Sequence, residues 1–176
     1  MAQAGEAIFV DSLQNKMIFT TTGLQMKPAE VYVEEICEGD QGLFGSSSAR
    51  VLTSEKWSLN FTSLDNGLFS TIEYEINILN ENFPSPDTAL VEQLDIRLRN
   101  SNDNIGIYTL ASDRGYNDSS FVMVDRRDIR LLDKEFKNVQ YAVRNETELY
   151  YLPGRGVVAF RLQNGRYWVL DELNTL

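Results

Sequence analysis

The sequence predicts an all-β fold, a single antiparallel β-sandwich or barrel of roughly ten strands with at most one short helix. Two Asn-Gly dipeptides, Asn66-Gly67 and Asn164-Gly165, lie between alternating apolar and polar residues, a pattern typical of β-hairpins. Short runs rich in Val, Ile, Phe and Tyr recur between turn residues elsewhere. The 176 residues, 43% of them hydrophobic, suffice for one compact domain over residues 1–176.

The stretch 56–76, KWSLNFTSLDNGLFSTIEYEI, predicts the first hairpin together with its register. A type I′ turn at Asn66-Gly67 gives it one apolar face and one polar, partly acidic face. The apolar face pairs Trp57 with Ile76, Leu59 with Tyr74 and Phe61 with Ile72, and the polar face pairs Ser58 with Glu75, Asn60 with Glu73 and Thr62 with Thr71. A slip of one residue would expose the apolar set to water, so the pattern specifies the pairing.

The C-terminal stretch 157–173 predicts a second hairpin. A two-residue turn at Asn164-Gly165 places Leu162 opposite Tyr167 and Phe160 opposite Val169 on one face. The other face then pairs Ala159 with Leu170 and Arg161 with Trp168, the latter suited to a cation–π contact. Because apolar residues lie on both faces, we expect a central strand pair that is covered on both sides, and the alternative is a surface that faces a partner.

The other elements follow from the same kinds of pattern. Pro84 and Pro86 precede Thr88, a candidate N-cap for a short helix or turn. The segment 28–39 favours a strand over a helix because Val31 and Val33 alternate with Tyr32. Residues 39–50 form a Gly/Ser-rich stretch that predicts a loop. Further strands are predicted near 7–11, 16–22, 94–99, 105–111, 120–125, 128–133 and 138–144.

The chain has no histidine and one cysteine, Cys37. The lack of histidine excludes Ser-His-Asp and Cys-His hydrolases and ordinary zinc sites. Cys37 cannot form an intrachain disulfide, and the acidic residues around it suppress a thiolate, so we interpret it as a bystander thiol in a reducing compartment. These acidic residues are Glu34, Glu35, Glu38 and Asp40.

The remaining catalytic hypothesis is a carboxylate pair, Glu73 and Glu75, whose side chains would lie about 7 Å apart on one strand, as in a glycosidase. Two glutamates on the solvent face of a strand are more simply explained as surface residues. The sequence therefore predicts a protein that is not an enzyme.

The loop 99–120 is rich in Asn and Asp oxygen donors, which suit calcium. It lacks the glycine position and the closing glutamate of an EF-hand, and the same residue types make tight turns. We therefore predict no bound metal and no cofactor.

Membranes and nucleic acids are not predicted partners. No apolar run approaches the ~20 residues of a membrane span, and the N-terminus lacks the pattern of a signal peptide, so we expect a cytoplasmic location. The net charge of −10 and a pI of about 4.5 oppose binding to phosphate.

The two halves of the chain differ in charge. Residues 1–88 carry 13 acidic and 4 basic side chains, net −9, whereas residues 89–176 carry 13 and 12, net −1. One interpretation is a solvated surface of mixed charge. The other is a head-to-tail contact between copies, in which the acidic hairpin face meets a basic segment, as in a ring or shell. The predicted interface residues are Glu73, Glu75, Arg126, Arg127, Arg130 and Lys134.

The features together predict a structural or assembly protein that works through contacts with copies of itself and with other subunits. A virion component, such as a head, neck or tail subunit of a tailed bacteriophage assembled in the host cytoplasm, fits an acidic all-β chain without a catalytic constellation. The alternative hypothesis is a cytoplasmic β-barrel that binds a small apolar or chromophore-like ligand. Its cavity would be lined by Trp57, Phe61, Tyr74 and Trp168.

Overall fold

The computed structural model describes residues 5–38, 46–65, 68–80, 90–99, 104–110 and 125–175. These ranges contain twelve strands and no helix, which confirms the expected all-β class. Accordingly, the described residues contain no helix with the length and apolar character to cross a membrane. The strands are β1 (Gly5–Val10), β2 (Lys16–Thr21), β3 (Gln25–Glu38), β4 (Ser46–Asp65), β5 (Leu68–Asn80), β6 (Leu90–Arg99), β7 (Asn104–Leu110), β8 (Asp125–Leu131), β9 (Lys134–Arg144), β10 (Thr147–Leu152), β11 (Gly156–Arg161) and β12 (Tyr167–Thr175).

All twelve strands belong to one antiparallel sheet. Its path is β7-β6-β5-β4-β2-β1-β12-β11-β10-β9-β8, and β3 pairs with β4 beside β2. The two end strands of the path, β7 and β8, do not pair with each other in the part of the chain that the structure describes. The backbone of β7 nevertheless lies against β9 and β10, so the sheet rolls up around one face without closing into a barrel.

The first hairpin forms in the predicted register. Strands β4 and β5 pair Trp57 with Ile76, Leu59 with Tyr74 and Phe61 with Ile72 on one face. The alternation of apolar and polar residues fixes this register, since a slip would reverse both faces. The turn itself, Asn66-Gly67, lies outside the described residues. The apolar face of the hairpin forms part of the inner face of the rolled sheet.

The predicted register of the second hairpin is wrong by one residue. Arg161 lies opposite Tyr167, and Phe160 lies opposite Trp168. The loop is longer than a two-residue turn, because the Gly165 N–H donates to the Leu162 carbonyl and Leu162 in turn pairs with Arg166. Gly165 takes a positive φ of 78°, as in a three-residue hairpin loop that ends in a left-handed residue. As a result the Arg161 guanidinium lies 5.5 Å from the Tyr167 ring rather than over Trp168.

The expected central position of β11 and β12 is confirmed. Both strands have neighbours on each side, and their middle residues are buried on both faces. Phe160 of β11 lies at the centre of an aromatic cluster, with ring centroids 5.0 Å from Phe9, 6.1 Å from Phe19 and 6.5 Å from Trp168. Edge and tilted contacts of this kind add to the free energy of burial. This cluster joins β1, β2, β11 and β12 into the main core.

Three other segments differ from the sequence prediction. Ser46–Arg50 belong to β4 rather than to a Gly/Ser-rich loop, since pairing with β3 supplies their backbone hydrogen bonds. Residues 90–93 begin β6, where the candidate N-cap Thr88, itself outside the described residues, predicted a short helix or turn. Strand β10 was not predicted. A register shift between Tyr150 and Tyr151 breaks the alternation that would have indicated it.

The turn between β1 and β2 is organised by a buried carboxylate, Asp11. Its Oδ1 accepts hydrogen bonds from the backbone N–H groups of Leu13 and Asn15, at 2.8 and 2.9 Å. Its Oδ2 accepts from the Asn15 side chain at 2.8 Å and lies 3.4 Å from Arg166 Nη1. The Asn15 hydrogen bond is the largest influence on the pKa of Asp11, which lies below its ordinary value despite burial.

We expect Asp11 to make the protein less stable in acid. Because its pKa is lower in the folded chain than the value of about 3.9 in the unfolded chain, its contribution is fully present above that value and is lost as the pH falls through the folded pKa. Urea midpoints measured from neutral to acid pH should fall less steeply for Asp11→Asn than for the wild type. Asp133→Asn, on an exposed turn residue, is the control and should follow the wild type. Parallel curves for Asp11→Asn and wild type would contradict this role.

Candidate functional site

The polar face of the first hairpin borders a cleft of about 330 Å³ on the outer side of β3 to β6. The predicted interface residues Glu73 and Glu75 both line it. Four basic and three acidic side chains meet there, so the cleft has a mixed charge. The lining residues are Lys27, Pro28, Lys56, Ser58, Asn60, Glu73, Tyr74, Glu75, Asp95, Arg97 and Arg99.

Each acidic residue in the cleft has a basic partner from the same sheet. Lys56 Nζ lies 2.6 Å from Glu75 Oε1, and Arg99 Nη2 lies 3.1 Å from Glu73 Oε2. Arg97 Nη2 lies 3.1 Å from Asp95 Oδ2. The first two contacts cross between neighbouring strands and the third lies within β6, so that together they form a ladder of charges on one face of the sheet. Glu73 and Glu75 are therefore already paired with basic side chains of their own chain.

Asp95 is the buried member of this ladder and lies directly opposite Glu75. Burial raises the pKa of Asp95, while a hydrogen bond donated by the Gln93 amide and the charge of Arg97 oppose that rise. The cleft thus brings the two glutamates of the glycosidase hypothesis together with a third carboxyl group, that of Asp95. A cation lies within 3.1 Å of each one, so the three carboxyl groups form an ion-pair ladder, and catalysis by Glu73 and Glu75 stays a hypothesis.

The basic interface residues lie on β8 and at the start of β9, which are eight and seven strands from β5 along the sheet path. The Arg127 guanidinium stacks 3.4 Å from the centre of the Tyr141 ring. Lys134 Nζ donates to the Leu170 carbonyl and to Asp171 Oδ1, each at 2.8 Å. Arg130 is exposed, 3.9 Å from Glu135. Arg126 is exposed on the same strand. In the described part of the chain, Glu73 and Glu75 form no ion pair with these basic residues, and a contact between copies stays a prediction.

An exposed apolar row lies at the end of the first hairpin and was missed by the sequence interpretation. Met26 of β3 pairs with Trp57 of β4, which pairs with Ile76 of β5. Their exposed fractions are 53%, 36% and 43%, whereas Ile72, on the same face of β5, is 2% exposed. We call Met26, Trp57 and Ile76 the apolar row. Alternation predicts which face is apolar, but it does not say where the core that covers this face ends.

A separate apolar cavity of about 210 Å³ opens on the inner face of the rolled sheet. Phe61 and Tyr74 line it, as the ligand-barrel hypothesis predicted. Trp57 and Trp168 are not among its described lining residues, since Trp168 packs in the aromatic cluster. The lining residues are Ala7, Phe9, Leu59, Phe61, Ile72, Tyr74, Arg155, Gly156, Val157, Leu170 and Leu173.

Tyr74 links the first hairpin to the start of β11 at the edge of this cavity. The backbone N–H of Val157 donates to Tyr74 Oη at 2.8 Å. Gly156 has a positive φ of 91°, and a Cβ atom there would lie 2.9 Å from the same oxygen. Burial raises the pKa of Tyr74 to about 12, so its hydroxyl keeps its proton at neutral pH. We call this contact among Tyr74, Gly156 and Val157 the tyrosine clasp.

The predicted calcium loop contributes no site in the described part of the chain. Asn104 starts β7, and the other oxygen donors singled out there, from Asn100 to Asp118, lie outside the described residues. Within the described ranges, no group of three or more Cys, Asp or Glu side chains is arranged to hold a metal ion.

Comparison with known proteins gives no relative: the chain matches no protein-family model, no curated protein and no solved structure.

Proposed function

We propose that this chain is a non-enzymatic structural subunit that binds copies of itself and other subunits through the apolar row. More specifically, we propose that the chain is a virion component, such as a head, neck or tail subunit of a tailed bacteriophage. The observation that supports it best is the exposure of Met26, Trp57 and Ile76 side by side on one face. Contiguous exposed apolar patches mark interaction sites on proteins.

The shape of β3 and β4 also supports assembly. Strand β4 has 20 residues, about 65 Å at 3.3 Å per residue, whereas an ordinary strand has about 5 or 6. Residues 46–56 of β4 pair with β3 and, among the described strands, with no other. An isolated two-stranded ribbon is marginal in water, so a partner that covers it would stabilise it. The two-stranded ribbon of β3 and residues 46–56 of β4 would allow the subunit to contact a neighbouring subunit.

The charges favour the apolar row over the predicted acidic-to-basic contact. Glu73, Glu75 and Lys134 already form ion pairs within the chain, at 3.1, 2.6 and 2.8 Å. A contact between copies would have to replace these pairs or add to them. The apolar row has no such competing partner, because its side chains remain exposed.

The test is the mass of the native protein by light scattering, at low and at moderate salt. We expect an assembly of several copies that survives added salt, because salt screens ion pairs but not apolar contacts. The double variant Met26→Lys/Ile76→Lys should shift the mass to that of one chain. Leu13→Lys is the matched control, since Leu13 is 73% exposed in the turn between β1 and β2.

Three outcomes would contradict the proposal. A wild-type mass of one chain at every salt concentration would overturn self-assembly, and an unchanged assembly in the double variant would overturn the apolar row. Dissociation of the wild type by salt would instead favour the contact between Glu73, Glu75 and the basic residues of β8. Negative-stain images of the assembly address the virion proposal, because rings or tubes of fixed symmetry are expected of a head, neck or tail subunit.

A further inference from the structure

The apolar cavity has the size of a single substituted ring. A dry cavity of about 150 Å³ holds a benzene molecule, and pockets for drug-sized ligands begin at about 300 Å³. At about 210 Å³, this cavity is larger than the one that holds benzene and smaller than a pocket for a drug-sized ligand. This volume suits a ring with one short substituent better than a chromophore with several fused rings.

The walls of the cavity favour an apolar occupant. Phe9, Ile72 and Leu170 are fully buried and contribute no polar side-chain atom. Phe61 and Tyr74 add aromatic rings, whose centroids lie 6.1 Å apart in an edge-to-face arrangement. Aromatic walls of this kind contact another ring favourably by its edge or face.

The open side of the cavity carries a positive charge. Among the described residues that line it, Arg155 is the charged one, and it is exposed, as is Leu173. No acidic side chain of the described residues forms an ion pair with Arg155, whose guanidinium lies 5.8 Å from the Phe136 ring. An arginine at the mouth of an apolar cavity is well suited to a carboxylate, because two N–H donors can bind its two oxygens.

The tyrosine clasp supplies a second donor in the wall of the cavity, beside Gly156, which follows Arg155 in the chain. Tyr74 Oη accepts a hydrogen bond from the Val157 N–H, and its own proton has no acceptor among the described residues. This hydroxyl is therefore able to donate to an oxygen of an occupant.

From these observations we propose that the cavity binds a small apolar carboxylic acid, with a single ring or a branched chain. The apolar part lies against Phe9, Phe61 and Ile72, and the carboxylate faces Arg155 at the open side. This proposal is independent of the assembly proposal, since Met26, Trp57 and Ile76 do not line the cavity.

The test uses benzoate as the acid and benzamide as its uncharged counterpart. Each is titrated into the isotope-labelled chain while the NMR signals of the cavity are followed. We expect benzoate to bind about tenfold more tightly than benzamide, and Arg155→Gln to remove that difference, because an ionised hydrogen bond is lost. Leu173→Trp, which puts a larger side chain at the mouth, should block both ligands. Arg130→Gln, with a side chain 69% exposed on β8, is the control and should change neither affinity.

Three results would overturn the proposal. The first is no saturable binding of benzoate. The second is equal binding of benzoate and benzamide to the wild type, which would remove the carboxylate from the recognition. The third is binding that Leu173→Trp leaves intact, which would place the ligand elsewhere. The mass of the protein is measured on the same samples, so a failure of assembly is recognised separately.

Discussion

Replacing Phe160 by alanine is expected to lower the free energy of unfolding by about 3–5 kcal/mol, the largest loss that we predict for one substitution. Phe160 is fully buried, and its ring contacts Phe9, Phe19 and Trp168. The substitution removes this burial and leaves a cavity at the point where four strands meet. Such a loss is a large part of the free energy of unfolding of an ordinary domain, which is about 5–15 kcal/mol.

Chemical denaturation measures this loss, with two comparison variants. Phe160→Leu keeps most of the volume and should cost about 1–2 kcal/mol, so it reports on the site even if Phe160→Ala does not fold. Leu13→Ala, on an exposed side chain, should change the free energy of unfolding by less than about 0.5 kcal/mol. A loss for Phe160→Ala as small as that for Leu13→Ala would show that the aromatic cluster is not the centre of the core.

The second large effect is expected at the tyrosine clasp. Gly156→Ala should destabilise the protein by about 2–4 kcal/mol, since it forces a non-glycine residue to a positive φ and displaces the Tyr74 hydroxyl from Val157. Gly154→Ala, two residues earlier in the turn before β11, is a matched control. Gly154 has a φ of 80°, but a Cβ there meets no atom within 4 Å, so only the backbone strain of about 1–2 kcal/mol applies.

A double-mutant cycle separates strain from contact. In a Tyr74→Phe background the hydroxyl is gone, so Gly156→Ala should cost no more than Gly154→Ala. Tyr74→Phe itself should cost about 1–3 kcal/mol, because the buried Val157 N–H loses its acceptor. Equal costs of the two glycine substitutions in the wild-type background would rule out the clasp as a stabilising contact.

The sequence predicts a strand register well where the turn and the alternation agree. In the first hairpin, the pairing of Trp57 with Ile76 follows from a two-residue turn and from one apolar face. In the second hairpin both faces are apolar, so a slip of one residue leaves the pattern equally good. There, the length of the loop before Arg166 decided the register, and the Asn-Gly dipeptide alone does not give that length.

For the candidate sites too, features set by residues close in sequence were predictable, and features set by distant residues were not. That Glu73 and Glu75 share a polar face was predictable, because side chains two residues apart on a strand point the same way. Their partners were not predictable, since Arg99 reaches Glu73 only because β6 lies beside β5. The apolar cavity depends on how Tyr74 meets Val157, 83 residues later in the chain. Such contacts depend on the order of the strands in the sheet, which the alternation of apolar and polar residues does not reveal.

The position of β1 in the sheet affects how the protein can be made. Strand β1 lies in the middle of the path, between β2 and β12, and Gly5 pairs with Thr175. A ribosome adding about 5–20 residues per second needs roughly 8–30 s to reach β12 after β1 has emerged. During that time, one edge of β1 lacks its partner and is open to pairing with other nascent chains. We therefore expect the yield of native protein to depend on translation speed and on chaperones that shield an unpaired strand.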